Sequence, residues 1–237
     1  LRGSIPLGSG RFTIKGSIPD PPLFLAQQLQ AKLESVGILS ERPPATQHRL
    51  GGSPPTRKVL YGHASPPLSA IVARTNKESV NLYAEALLRS IGGEYGEEGS
   101  AQAGLAAIKK YWTQQGLSFD GVQLYDGSGM APRNVVPPAF MTRLLHLAYQ
   151  NPQSRAALWE SLPVAGRSGS MRYQLREVGG RVRAKSGSLE QVRAYSGYLT
   201  ARSGRVYAFS ILVNNYEGSG SVARRKIMDL LAAWAKL

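Results

Sequence analysis

Residues Gly180–Asn215 read GRVRAKSGSLEQVRAYSGYLTARSGRVYAFSILVNN, and the fold turns on how this stretch is read. GRVRAKSG, VRAYSGYLTA and RVYAFSILVNN are strand-like runs rich in Val, Tyr, Phe, Ile and Leu, and the last two are joined by the tight turn ARSG. A helical pattern from about Ser221 to Leu237 follows, and the preceding hundred or so residues read mainly as helices. Runs of helix followed by a hairpin-connected sheet predict an α+β fold, an antiparallel sheet flanked by helices.

Outward toward the N-terminus, RFTIKGSI alternates Phe12 and Ile14 with polar residues and predicts a strand. Asp20 before Pro21-Pro22 is a helix start, with a helix expected to about Gly37 and Leu25, Leu29, Leu33 and Val36 turned inward. Ser40–Arg57 is rich in Pro, Gly, Arg and Thr without periodicity, which places a domain boundary there. KVLYGHAS, residues 58–65, predicts a short strand, and helices are expected at 68–75 and at 79–91, the latter stopping at Gly92-Gly93. Ser100 caps a helix carrying Leu105, Ile108 and Trp112. VQLYDGSGM, residues 122–130, predicts a short strand entering a glycine turn, and two further helices fall near 138–149 and 153–161.

Composition excludes several chemistries. The 237 residues contain no cysteine, so thiolate catalysis, disulfides and thiolate metal sites are ruled out. His48, His63 and His146 are scattered without metal-ligand spacing, so neither a metal nor another cofactor is expected. Lys and Arg number 29 against 15 Asp and Glu, a formal charge of +14 that attracts anionic polymers or surfaces. The cations are spread over helices, loops and strands without aromatic interleaving, so no nucleic-acid partner is expected, although a basic binding module remains an alternative. The chain begins at Leu1 without methionine or a signal pattern, and the expectation is that something upstream was removed or lies elsewhere.

Three short constellations bear on chemistry. Lys185-Ser186-Gly187-Ser188 at a strand end offers an ammonium, hydroxyl donors and a glycine that admits a ligand close to the backbone. These are the needs of a carboxylate or a developing oxyanion, though four residues alone read sooner as a basic strand ending in a polar turn. Ser79 and Asn81, at the expected start of a helix, offer a hydroxyl for proton transfer and a carboxamide for a substrate amide; Ser79 alone reads as a helix cap. DGSGMAPRN, residues 126–134, makes a tight turn.

In order, SPPLSAIVARTNKESVNLYAEALLRSIG, DGSGMAPRN, LPVAGRSGSMR, GRVRAKSGSL and AFSILVNN resemble the C-terminal half of the low-molecular-mass class C penicillin-binding proteins, D-alanyl-D-alanine carboxypeptidases and endopeptidases of peptidoglycan. FTIKGSIPDPPLFLAQQL resembles the segment preceding that half. Such enzymes use Ser-x-x-Lys, Ser-x-Asn and Lys-Thr/Ser-Gly. The second maps onto Ser79-Val80-Asn81 and the third onto Lys185-Ser186-Gly187, while no lysine of this chain has a serine three positions before it.

The resemblance therefore implies an incomplete β-lactamase/transpeptidase-like domain at 58–237. Residues 1–57 would be the remnant of an inserted domain with its linking helix and loop. It also implies a serine acyl-enzyme whose nucleophile lies on a missing N-terminal segment, together with the first strands of the sheet. In that scheme Lys185 supplies positive potential, Ser79 passes the proton, and Asn81 holds the acyl side-chain amide. Ser186 and Ser188 meet the terminal carboxylate, and the Ser188 N–H is half of the oxyanion hole. The implied partners are peptidoglycan stem peptides, β-lactam antibiotics and the missing segment itself, in an extracytoplasmic, cell-envelope location. A β-lactamase-like hydrolase shares the motifs and is the alternative within hydrolases.

Overall fold

Strands β1 (Val182–Leu189), β2 (Val192–Thr200) and β3 (Val206–Asn214) form one antiparallel sheet in the order β1-β2-β3. Register pairs Lys185 with Ser196 and Ser186 with Tyr195, and across the second hairpin Tyr195 with Ile211. The coordinates are a computed structural model that describes residues 8, 16, 18–53, 56 and 58–236. The strand expected at RFTIKGSI lies largely outside the described residues.

Because side chains alternate along a strand, one residue set faces each side of the sheet. Val182, Ala184, Tyr195, Leu199 and Phe209 meet Ile227, Met228 and Leu231 of the C-terminal helix, together with Ala165, Met171, Leu175 and Val178 from the segment before β1. Tyr198 and Ala208 face the other side and pack with Leu145, Leu158 and Trp159. The Tyr198 hydroxyl donates to the Leu145 carbonyl oxygen at 2.8 Å, which satisfies a group that would otherwise be stranded in the core. Burial pushes that phenol up to about 12.

The chain divides into two compact units, Leu1–His63 and Ala64–Leu237. The first contains α1 (Pro21–Glu34) and α2 (Gln47–Leu50). Asp20 caps α1 by accepting from the Leu23 amide at 3.1 Å, with proline at the first helical position as expected. Leu25 and Leu29 do not turn inward, since α1 has no buried residue. The other described helix of that unit has four residues and offers little surface to cover it. KVLYGHAS makes no ladder among the described residues, and Val59, Leu60 and Tyr61 are exposed. Its apolar run has the composition of a strand but no partner strand among the described residues.

The second unit holds α3 (Leu68–Glu78), α4 (Asn81–Tyr95), α5 (Ala101–Gln114), α6 (Pro138–Gln150), α7 (Pro152–Ser161) and α8 (Gly220–Trp234), with a 3-10 turn at Gly169–Met171. The helix expected from 79 begins at Asn81 and runs through Gly92-Gly93 rather than stopping there. Gly92 is buried against the start of α5, where a Cβ would lie 2.6 Å from the Ser100 carbonyl oxygen. On α5, Gly104 likewise approaches the Leu88 carbonyl too closely for any side chain. These glycines serve helix contact, which a sequence reading takes for a stop signal. VQLYDGSGM forms only an isolated bridge, Gln123 to Val135, because the chain turns away after one pairing.

The two adjacent glycines give opposite expectations. Gly92→Ala should lower stability by about 1–3 kcal/mol through overpacking. At Gly93 the nearest atom to a Cβ is 3.7 Å away, and alanine should raise stability by about 0.5–1 kcal/mol. Urea-unfolding midpoints of the two variants check this, and similar shifts in both would refute the packing account.

Candidate active site

Ser79 ends α3 and is held in the left-handed conformation, with φ 55 and ψ 51, which costs a non-glycine residue about 1–2 kcal/mol. It does not cap α4, which Val80 precedes without a side-chain cap bond. Its Oγ instead accepts from Lys185 Nζ at 2.8 Å, across 106 residues of sequence. Lys185 also donates to the Ser186 carbonyl oxygen at 2.7 Å, so two of its three protons are fixed. Burial disfavours the charged ammonium and holds its pKa below the ordinary lysine range.

Position is set by the elements on either side. Asn76 on α3 donates to Ser161 Oγ at 2.8 Å, and Ser161 donates to the Leu158 carbonyl oxygen at the same distance, fixing α3 to α7. Arg183, on the same face of β1 as Lys185, donates to the Trp159 carbonyl oxygen at 3.1 Å and lies 4.9 Å from the Trp159 ring centroid. That arginine is engaged in packing β1 on α7, whereas Lys185 reaches toward Ser79.

The outer edge of β1 is half closed. Ala165 N–H donates to Val182 and Ala184 N–H donates to Pro163, both at 2.9 Å, so the backbone groups of Val182 and Ala184 point away from β2. Antiparallel pairing alternates, and the N–H groups of Ser186 and Ser188 therefore also point outward, where the Pro163–Ala165 segment no longer runs beside the strand. Ser188 and Gly187 are exposed. Gly187 has no positive φ, and the nearest atom to a Cβ there would be the Ala194 Cβ at 3.4 Å, so its backbone does not demand glycine.

Ser79, Lys185 and Ser186 are thus brought into one hydrogen-bonded group. Asn81, the first residue of α4, is exposed, and its carboxamide has no hydrogen-bond partner among the described residues. Ser170 was missed by sequence reasoning: its Oγ lies 2.8 Å from Ser186 Oγ. No acidic side chain bonds to Lys185 among the described residues, whose two ion pairs are Arg49–Asp20 and Arg74–Glu78. An apolar groove of about 480 Å³ between α4 and α5 lies apart from this group and includes none of its residues.

The DGSG turn is clipped to α4 in a way its sequence did not reveal. Glu85 Oε1 accepts from the amides of Gly127 at 3.2 Å and Ser128 at 2.9 Å. A Cβ on Gly127 would lie 2.6 Å from the Ala84 carbonyl oxygen, so the close approach requires glycine. Asp126 accepts from Gly129 N–H and Asn134 Nδ2 at 2.8 Å each, and from Ala131 N–H at 2.6 Å. Burial opposes ionisation of Asp126, but these bonds outweigh it and hold the carboxyl below its ordinary range.

Glu85→Ala should speed exchange of the Gly127 and Ser128 amides about tenfold, the worth of one net hydrogen bond, as read by hydrogen-exchange NMR. Unchanged protection would sink the clip. Because the folded-state pKa of Asp126 is depressed, its contribution is complete above the ordinary carboxylate pKa and is lost as pH falls through the depressed value. The Asn134 side-chain amide resonances should report that acid transition and lose it in Asp126→Asn.

Comparison with known proteins places the chain in a family. Residues 1–236 match the model of the D-Ala-D-Ala carboxypeptidase 3 (S13) family. The chain is 32% identical over 243 residues to a D-alanyl-D-alanine carboxypeptidase of Actinomadura sp., covering 98% of this chain and 43% of that protein. It is 28% identical over 229 residues to the D-alanyl-D-alanine carboxypeptidase DacB of Haemophilus influenzae, covering 93% and 46%. The chain spans about half the length of the curated relatives it matches. Crystal structures of Haemophilus influenzae penicillin binding protein 4 superpose with a TM-score of 0.68 over 76% of this chain and 42% of that one, at 28% identity. A complex of that protein with a β-lactam superposes with a TM-score of 0.76 at 24% identity, over 92% and 51%. A β-lactamase, TLA-3, shares the fold at a TM-score of 0.54. The family match over residues 1–236 and the 32% identity over 98% of the chain show that the chain belongs to the D-Ala-D-Ala carboxypeptidase 3 (S13) family.

Proposed function

We propose that this chain supplies the substrate-binding edge and proton-transfer groups of a serine-type peptidoglycan D-alanyl-D-alanine carboxypeptidase/endopeptidase. The observation that carries the reading is the 2.8 Å contact between Lys185 Nζ and Ser79 Oγ, made between the Lys-Ser-Gly and Ser-x-Asn elements. The nucleophile is a serine on polypeptide outside these 237 residues, since no Ser-x-x-Lys occurs within them.

The acyl peptide lies extended along the open half of the β1 edge, where the outward backbone groups of Ser186 and Ser188 add it as a further strand. The nucleophilic oxygen attacks the carbonyl carbon between the two D-alanines, and the oxyanion that develops accepts from the Ser188 N–H. Asn81, with its carboxamide unengaged by the described residues, holds the amide of the acyl side chain. Collapse breaks the C–N bond, and the departing amine receives through Ser79 the proton that the nucleophilic hydroxyl gives up as its oxygen bonds to carbon. Lys185 donates to the Ser79 oxygen, which leaves the Ser79 O–H free to donate toward that amine. Ser186, Gly187 and Ser188 line the terminal carboxylate. Water then deacylates the enzyme. A β-lactam follows the same first step, with its leaving amine tethered in the product and deacylation slow.

The β3 edge supports the same reading of a partner segment. Gln191 accepts from the Asn215 N–H, so the backbone groups of Val206, Ala208, Ser210, Leu212 and Asn214 face away from β2. VYAFSILVN contains no charge or proline to block pairing, and a groove of about 350 Å³ runs beside it, lined by Tyr207, Phe209 and Trp234. A strand of the missing N-terminal segment occupies that edge. No helix of the described residues is long and apolar enough to cross a membrane. The basic charge suits an extracytoplasmic site beside anionic wall polymers.

Labelling by a fluorescent penicillin, in the complete polypeptide that includes this chain, tests the assignment. Lys185→Ala should slow acylation at least ~10²-fold, as loss of one such electrostatic group does. Undiminished labelling would overturn the reading. The positive potential is present at low pH and lost as pH rises through the depressed Lys185 pKa. The alkaline limb of the acylation profile should therefore lie below the ordinary lysine range and move upward in Lys185→Arg.

A further inference from the structure

Ser170 lies in the 3-10 turn Gly169–Met171, and that turn is braced on both sides. Gly169 has φ 58, and a Cβ there would lie 2.8 Å from the Lys77 carbonyl oxygen and 3.0 Å from the Pro163 Cβ. The turn is therefore seated against the last turn of α3, two residues before Ser79. On its other side Met171 is fully buried in the core against the sheet. Ser168 Oγ accepts from the Val164 N–H at 3.1 Å, and the Met171 carbonyl accepts from Gly166 N–H at 3.0 Å, which closes the loop on itself.

On this rigid support the Ser170 side chain is exposed, and its hydroxyl bonds to Ser186 Oγ at 2.8 Å. Two hydroxyls carry two protons, and their mutual bond uses one. Ser186 donates to Ser170, so the proton left for an acceptor is that of Ser170. No carboxylate of the described residues hydrogen-bonds to Ser170, Ser186, Ser79 or Lys185. The ammonium beside this pair thus has its charge uncompensated by the described residues, and the group that complements it is an anion.

We propose that Ser170 is a substrate-contacting residue whose hydroxyl, oriented by Ser186, donates to the terminal carboxylate of the peptide bound along β1. This rests on the peptidase reading above and assigns that carboxylate a further donor. Ser186 turns its side chain to the opposite face of β1 from Lys185, so the carboxylate is gripped at the strand edge from two sides. One side is the Ser186–Ser170 hydroxyl pair and the other is the ammonium.

The test uses the complete polypeptide and two substrates, an acyl-D-Ala-D-Ala with a free carboxylate and the same peptide with a C-terminal carboxamide. Ser170→Thr and Ser170→Val share a shape and differ in the hydroxyl. The ratio of kcat/KM for carboxylate over carboxamide should fall about tenfold or more in Ser170→Val, mainly through KM, and be largely kept in Ser170→Thr, as loss of a bond to a charged group implies. An equal loss on both substrates, or an unchanged ratio in Ser170→Val, overturns the proposal. Lys185→Ala serves as the separate control. If it acylates normally the peptidase reading itself fails, whereas an inactive Lys185→Ala beside an unchanged ratio in Ser170→Val defeats only the role of Ser170.

Discussion

The outer edge of β1 is closed along its first half by Pro163–Ala165 and, among the described residues, open along its second. Because antiparallel pairing alternates, closing Val182 and Ala184 commits the backbone of Ser186 and Ser188 to the same outward direction. The edge therefore presents main-chain donors directly after the strand has been anchored. Lys185 sits at the junction, with its side chain on the face occupied by α3 and α7. A shift of one residue in the β1–β2 register would invert all of this, sending Lys185 into the α8 core and the hydroxyl of Ser186 toward α3. Val182 and Ala184, both fully buried, resist such a slip.

Around that edge, the supports are small polar contacts rather than ion pairs. Asn76–Ser161 fixes α3, Arg183–Trp159 fixes β1 on α7, and Glu85 with Asp126 fixes the DGSG turn on α4. None of them places a carboxylate beside Lys185, whose ammonium is partly desolvated by burial. A neutralising acid at that point would raise the lysine pKa and cancel the potential offered to an anionic ligand.

Sequence reading reached the sheet because the three strand runs and the ARSG turn carry local signals that nothing in the tertiary structure overrides. It brought Ser79 and Lys185 together only through the order of several motifs, since no local rule joins residues 106 positions apart, and Asn81, named with them, makes no side-chain hydrogen bond to either. Gly92-Gly93 misled because a glycine that permits helix contact looks the same in sequence as one that stops a helix. KVLYGHAS misled because strand composition needs a neighbour before it becomes a strand. Ser170 was silent for a different reason: its place beside Ser186 depends on what Gly169 and Met171 touch on either side, which no local pattern displays. The clip between Glu85 and Gly127 was equally invisible, since a glutamate on a helix face is the commonest of solvent-facing residues.

Ser79 also places a limit on improvement of the chain. Its left-handed backbone is the conformation that glycine adopts without penalty, so the most stable residue at that position is one with no hydroxyl to offer Lys185. Glycine there would relieve the dihedral penalty and at the same time remove the hydrogen bond that ties the end of α3 to β1. A serine at residue 79 thus sets a strained backbone against a tether between two elements distant in sequence, a trade written into a single dihedral angle.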